Sequence, residues 1–570
     1  MNRNVESHFA LNPTNIDIRR STFDRSHSLK TSFNVGDIVP FFVDEVLPGD
    51  TFNVDTSKVV RLQTLLTPVM DNIYLDTYFF FVPNRLTWSH WKQFNGENTE
   101  SAWIPQTEYE IPQITAPASG GWSVGTIADY LGVPTGVPNL SVSALPFRAY
   151  ALVMNEWFRD ENLSDPLVVP VDDATVAGVN TGTFVTDVCK GGLPYKAAKY
   201  HDYFTSCLPS PQKGPDVTIP VAEAGNYAVV GNGKTLALTN GTTLGTFGYL
   251  NAANSVIVGS SIAPGGSPSS SASPTDAVLG TYGVPTQAQL GNDLSKSGLI
   301  AVASGNAAAA TINQLRMAFQ IQKLYEKDAR GGSRYIEILK SHFGVTSPDA
   351  RLQRPEYLGG NRVPININQV VQQSATASGE TAQGTVTGMS VTTDTHSDFT
   401  KSFTEHGFVI GVMVARYDHT YQQGLERFWS RKDRFDYYWP AFANIGEQAV
   451  KNKEIYAQGP AQKDSAGNVI DDQVFGYQEA WADYRYKPSR VTGEMRSQYA
   501  QSLDVWHLAD DYTALPMLSD SWIREDKTNV DRVLAVTSAV SNQLFADIYI
   551  KNRTTRPMPM YSIPGLIDHH

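Results

Sequence analysis

Arg427 to Trp439 reads RFWSRKDRFDYYW: six aromatic residues, six charged ones and Ser430. An enzyme pocket, a nucleic-acid groove and a protein–protein contact can each use that mixture. Rings stack on bases while arginine and lysine neutralise phosphates. The same rings and guanidiniums are enriched at the centres of protein interfaces. The stretch carries four basic and two acidic residues, a modest positive excess that favours a protein contact over nucleic acid. A second mixture follows in AWADYRYKPSRVTGEMRSQY, with Arg485, Lys487, Arg490 and Arg496.

Other groupings point to no enzyme. Lys234 sits in GNGKT, but Ala228 stands where a phosphate loop needs its first glycine, and LALTNGTT is no helix start. No G-x-S-x-G elbow and no dinucleotide fingerprint is present. His201 and Cys207 lack zinc spacing. Glu405-His406 and Asp418-His419 are neighbours in the chain, so on a strand they face opposite ways. Asp471-Asp472, Asp510-Asp511 and the terminal Asp568-His569-His570 carry little weight alone. No catalytic residue, metal site or cofactor is expected, although a divalent cation at a subunit contact would be chemically possible.

The elements that position these residues read as strands at both ends of the chain. DIVPFFVDEVLPGDTFNVD turns at Pro48-Gly49, and VVRLQTLL, NIYLDTYFFFVP, HGFVIGVMVARYDHTY, DRVLAVTSAV and FADIYIKNRTTRPMP follow the same pattern. Helices are expected near 146–160, where Phe147, Tyr150, Met154 and Trp157 share a face, at 312–329 and at RYIEILKSHF. The second has Thr311 and Gln314 as a capping box, an Ile312, Leu315, Phe319 and Leu324 stripe, and Gly331-Gly332 as its stop. All three stripes should pack against a sheet. Residues 211–310 hold seven charges, none between Thr235 and Thr275, and mark an insertion whose flanks form strands. A smaller polar insertion is expected at about 372–395. The economical closure is a mainly β jelly roll or sandwich with very long loops.

Bulk properties agree. The 570-residue chain is 41% hydrophobic and 18% charged, so it can bury a large core. A net charge of -12 argues against a surface that grips nucleic acid throughout. Two cysteines, Cys189 and Cys207, fit a reducing setting, and neither a signal peptide nor a membrane span is visible. On these grounds the chain is a soluble, β-rich non-enzyme. Two stand-alone binding readings stay open. One is single-stranded DNA. The other is carbohydrate, with Trp88, Trp91 and Trp103 stacking on sugars.

The block GFVIGVMVARYDHTYQQGLERFWSRKDRFDYYWPAFANIGEQAVKNKEIYAQG, then VFGYQEAWADYRYKPSRVTGEMRS and LDVWHLADDY, resembles the major capsid proteins of Microviridae bacteriophages, gokushovirus branch. FDRSHSLKTSFNVGDIVPFFVDEVLPGDTF, RLQRPEYLGGNRVPININQVVQQSAT and RPMPMYSIPGLIDHH look like the same family. The resemblance implies an eight-stranded antiparallel jelly roll (a viral β-barrel) with long loop insertions containing a few helices. Residues 1–210 and 311–570 would form one capsid domain, and 211–310 a threefold surface protrusion used in host attachment. It implies a T=1 icosahedral shell, built through pentamers, around circular single-stranded DNA. Expected partners are the chain itself, an internal scaffolding protein, a DNA pilot protein, a small basic DNA-binding protein and a host surface receptor. The expected place is the virion, assembled in the bacterial host cytoplasm, without membrane insertion. Arg427, Phe428, Trp429, Arg431, Arg434, Tyr437, Tyr438 and Trp439 are the expected subunit interface. Arg3, Arg19, Arg20, Arg25 and Lys30 are the expected DNA contacts.

Overall fold

The computed structural model describes residues 19–98, 107–217, seven short strands between 228 and 302, and 312–561 apart from 375, 377, 379 and 380. Arg3, Trp103, Lys234, Thr311 and Asp568 to His570 lie outside the described residues. The chain divides into two units, 215–324 and the remainder.

Eight strands frame the larger unit: β1 (His27–Phe33), β2 (Val39–Val46), β3 (Thr51–Leu62), β4 (Ile73–Pro83), β5 (Glu356–Pro364), β6 (Thr392–Ser402), β7 (Gly407–Tyr417) and β8 (Leu544–Arg556). They form two antiparallel sheets, β1–β8–β3–β6 and β2–β7–β4–β5. Strands alternate between the sheets from β1 to β4 and again from β5 to β8, while β4 and β5 pair within one sheet, a connectivity consistent with a jelly roll. The short strand Ser21–Asp24 extends β1 along β8, so the two ends of the chain close one sheet. Gly49, at φ +90°, makes the turn between β2 and β3.

Strand sequence explains why one sheet is covered on both faces. In β7, Val409, Met413 and Ala415 enter the core between the sheets, with Phe33, Val54, Phe79 and Ile548. Ile410, Val412 and Val414 point the other way and pack under α1 (Leu145–Val153) and its loops. The register shift at Gly411/Val412 falls on β2, where Phe41 is the extra residue, so Phe41 and Phe42 both enter the same core. β8 instead alternates buried and exposed residues, so its sheet has one solvent face.

The helices at 145–158, 312–331 and 335–343 fall close to their expected spans. The first continues past Val153 as a π-helical turn, Met154–Phe158, with Phe147, Tyr150, Ala151 and Met154 buried. The second, α2 (Ile312–Gly331), departs from expectation. Ile312, Leu315, Phe319 and Leu324 are all exposed, and only Ala329 is buried. Good helix formers sustain it without a covered stripe. The third, α3 (Tyr335–Phe343), ends at Gly344 with φ +70°.

Two further expectations are corrected. DRVLAVTSAV is no strand: it holds the end of a helical turn, Thr528–Asp531, and a closed loop. The Asp531 carboxylate accepts from Ser538 N (2.8 Å) and Ser538 Oγ (2.6 Å), folding the segment back, while Val533 and Leu534 plug the core. The polar segment 372–395 is not wholly an insertion. Val386–Ser390 pairs with Ile367–Val371, and β6 begins at Thr392. Threonine is β-branched, so such a segment suits a pleated edge despite its polarity.

In the other unit, Leu244–Leu250 pairs with Ala237–Thr239, Val256–Ile257 and Leu279–Tyr282, and Ala228–Gly231 pairs with Leu299–Val302.

Trp122 shows how closely the loop layer is packed. It is fully buried and stacked on Phe147 at 5.9 Å between centroids. A Cβ at Gly178 would sit 2.6 Å from Trp122 Cζ2. Gly178→Ala should therefore cost about 1–3 kcal/mol by overpacking, read as a lower urea midpoint of the purified subunit. An unchanged midpoint would contradict that packing.

Candidate functional site

After β7 the chain leaves the sandwich and makes three single 3-10 turns, Arg427–Ser430, Arg434–Asp436 and Pro440–Phe442. The loop is tied to itself. Lys432 N and Asp433 N donate to Asp436 Oδ2 at 2.7 and 3.0 Å. Trp439 Nε1 donates to Arg434 O at 2.8 Å. These bonds hold the rings outward. Trp429 is 66% exposed and Trp439 50%, with Phe428, Phe435, Tyr437, Tyr438 and nearby Tyr484 and Tyr486 also exposed. Monomers rarely leave such a patch uncovered.

The arginines of the stretch are divided in role. Arg431 pairs with Asp483 and lies over the Tyr484 ring at 4.3 Å. Arg427 donates from Nη2 to Ala449 O at 2.8 Å. Both guanidiniums thus brace the loop from within the chain. Arg434 rests over Phe435 at 4.7 Å and makes no ion pair among the described residues. A cavity of about 220 Å³ opens beneath, lined by Tyr203, Arg427, Phe428, Glu454 and Tyr484 among others. Burial pushes the Glu454 carboxyl up, opposed by Arg427; Tyr203 Oη donates to it at 2.8 Å.

The described members of the expected DNA contacts differ in setting. Arg19, Arg20 and Lys30 are exposed, and Lys30 Nζ lies 3.6 Å from Asp547. Arg25 turns to Asp44 at 2.6 Å. Trp88 offers no sugar platform: it is fully buried, with Nε1 donating to Asp173 Oδ1 at 2.6 Å. Cys189 and Cys207 are buried free thiols, and burial pushes both up. Among the described residues no three His, Cys, Asp or Glu side chains gather as a metal site.

Sequence reasoning missed a buried ionic cluster. His419 Nδ1 lies 2.9 Å from Asp510 and Nε2 lies 3.2 Å from Glu525, all three nearly inaccessible. Tyr512 Oη donates to Asp510 at 2.8 Å, and Lys199 Nζ is 3.7 Å away. Asp418-His419 and Asp510-Asp511 were visible, but nothing local says that they meet. Burial disfavours the imidazolium, yet Glu525 and Asp510 override it and raise His419 to about 10. Burial likewise opposes the Asp510 charge, and His419 overrides it, holding Asp510 at about 2. Both ring nitrogens face carboxylates, so the imidazole has no free lone pair for catalysis and acts as a brace.

The sign of the pH dependence follows. The His419 contribution is complete below its ordinary value of 6.5 and is lost as pH rises through about 10. The Asp510 contribution is complete above 3.8 and is lost as pH falls through about 2. Both are whole between roughly pH 4 and 6.5. Urea midpoints of the subunit across pH should show the cluster's share declining on either side. In a His419→Gln variant the alkaline part of that decline should vanish, and its persistence would rule His419 out as the cause.

Residues 13–566 match the capsid protein (F protein) family. The chain is 43% identical over 607 residues to capsid protein VP1 of Chlamydia phage 1, covering 99% of this chain and 98% of the relative. It is 43% identical to capsid protein VP1 of Bdellovibrio phage phiMH2K over 568 residues, with the same coverages. Capsid protein VP1 of Spiroplasma virus 4 is 43% identical over 552 residues, 96% of each chain. The likeness to Microviridae capsid proteins therefore runs through nearly the whole chain, strands and loops together. The chain belongs to the capsid protein (F protein) family.

Proposed function

We propose that this chain, a structural capsid protein and virion component, is the repeating subunit of a T=1 icosahedral shell around circular single-stranded DNA. The aromatic apron at 427–439 carries the reading: an outward loop of rings braced by Arg427 and Arg431 suits burial against a neighbouring copy. Closed assembly through pentamers needs a patch on each subunit matched to a different patch on the next. The exposed stripe of α2 and the nearly uncharged insertion at 211–310 suit three copies meeting at an axis, as a protrusion that touches a host receptor. A net charge of -12 cannot neutralise a genome, so a small basic DNA-binding protein shares that task. An internal scaffolding protein and a DNA pilot protein complete the assembly in the host cytoplasm.

Sedimentation and electron microscopy of the purified chain, expressed alone and with the other phage proteins, test this. Spherical shells of about sixty copies, on the order of 4 MDa, are expected. A monodisperse monomer under every condition would refute it.

A further inference from the structure

The solvent face of the sheet β1–β8–β3–β6 carries groups that the shell contacts above do not use. On central strand β8, Phe545 and Tyr549 point outward, 37% and 50% exposed. Neither ring meets another aromatic among the described residues. The strand register sets Arg61 opposite Phe545, and Ser28 and Ser57 on either side of Tyr549. Arg553 follows Tyr549 four residues on, so 545, 549 and 553 repeat along one strand at intervals of about 13 Å.

Charge on this face is uneven in a telling way. The carboxylates have partners: Asp547 has Lys30 at 3.6 Å, Asp55 has Lys551 at 3.6 Å, and Asp24 accepts from Ser26 N at 3.1 Å. Arg61 and Arg553 are exposed; Arg61 makes no ion pair among the described residues, and Arg553 stands opposite Asp24 in the register without closing to an ion pair. The other outward positions are hydroxyls and amides that pair across strands, such as Asn53 Nδ2 to Thr400 Oγ1 at 2.9 Å and Ser57 Oγ to Thr395 Oγ1 at 3.2 Å. A protein partner would want a contiguous apolar centre, and Asp547 interrupts the two rings. A polynucleotide wants separated rings, exposed guanidiniums and hydroxyl donors.

We propose that this sheet face is a docking platform for single-stranded nucleic acid, with bases stacked on Phe545 and Tyr549 and phosphates held by Arg61 and Arg553. As the platform for a packaged genome it rests on the shell reading above. It gives an acidic chain a local, sequence-tolerant grip, and it draws its groups from both ends of the chain.

The test uses the full-length soluble subunit and a fluorescein-labelled oligothymidylate. Phe545→Ala and Tyr549→Ala should each weaken binding about ten-fold or more, while Tyr549→Phe retains it. Arg61→Gln and Arg553→Gln should each reduce the salt slope of log K by about 0.7. Absence of binding by the wild-type chain, or less than two-fold change in all these variants, overturns the proposal. The double variant Phe545→Ala/Tyr549→Ala, expressed with the other phage proteins, separates the two readings. Shells with normal DNA content leave the shell reading standing and overturn the platform. Tyr549-dependent binding by a chain that never forms shells does the reverse. Loss of shells with unchanged oligothymidylate binding makes the face a protein contact and overturns the platform.

Discussion

His419→Ala should leave a subunit that unfolds about 3–5 kcal/mol more easily than wild type, the usual cost of stripping one partner from a buried ionic group. The substitution removes the cation between Asp510 and Glu525, whose side chains are 8% and 0% exposed. Lys199, at 3.7 Å from Asp510, remains beside that carboxylate. One carboxylate must then take up a proton or admit water. The cluster also ties together distant chain segments: Thr420 pairs with Ser489, and Asp510 N donates to Thr420 O at 2.8 Å. Its loss should loosen the loops that carry the apron as well as lower global stability. Urea unfolding followed by tryptophan fluorescence reads the effect. A His419→Ala midpoint equal to wild type would mean that the cluster contributes nothing net, as some buried ion pairs do.

The double substitution Trp429→Ala/Trp439→Ala should abolish shells while leaving the subunit folded. Ring truncation at an interface centre commonly costs 2 kcal/mol or more, and a shell repeats the loss at every contact. The folded subunit has little to lose. Among the described residues Trp429 meets one aromatic neighbour, Phe428, at 4.7 Å, and Trp439 gives up a hydrogen bond to Arg434 O. The expected product is a soluble subunit with wild-type circular dichroism and no fast-sedimenting species. Normal shells from this variant would move the interface elsewhere. Arg431→Ala should act differently: it orphans Asp483 and releases the ring stack on Tyr484, so it should lower subunit stability as well as assembly. That contrast separates bracing groups from contact groups.

Much of the sandwich was legible because its strands alternate or run apolar. Val39–Phe42, Ile73–Pro83 and Gly407–Tyr417 are covered on both faces and read as mostly apolar strings. β8 alternates residue by residue, which is the signature of a half-buried strand. β6 was hidden because its inward residues include Thr392 and Asp398 beside Phe399, so no apolar period announces it. DRVLAVTSAV failed in the opposite sense. It is apolar enough for a strand, but the Asp531 carboxylate finds Ser538 seven residues on and closes a loop instead.

The candidate site was readable in type but not in detail. Density of rings marked 427–439, yet composition could not say that Arg427 and Arg431 turn inward while the tryptophans turn out. That division depends on Ala449 and Asp483, tens of residues away. The ionic cluster was wholly illegible for the same reason: His419 meets Asp510 and Glu525 across separations of 91 and 106 positions. The outward rings of β8 were visible as alternation, but their neighbour Arg61 comes from another strand.

Hydroxyl-radical footprinting of the free subunit and of the assembled particle tests the central claim most directly. It reads Trp429, Tyr437 and Trp439 individually, and all three are half-exposed or more in the single chain. The account predicts strong oxidation in the subunit and protection of at least the two tryptophans in the particle. Equal oxidation of all three in both states would contradict it, because the shell would then be built through another surface.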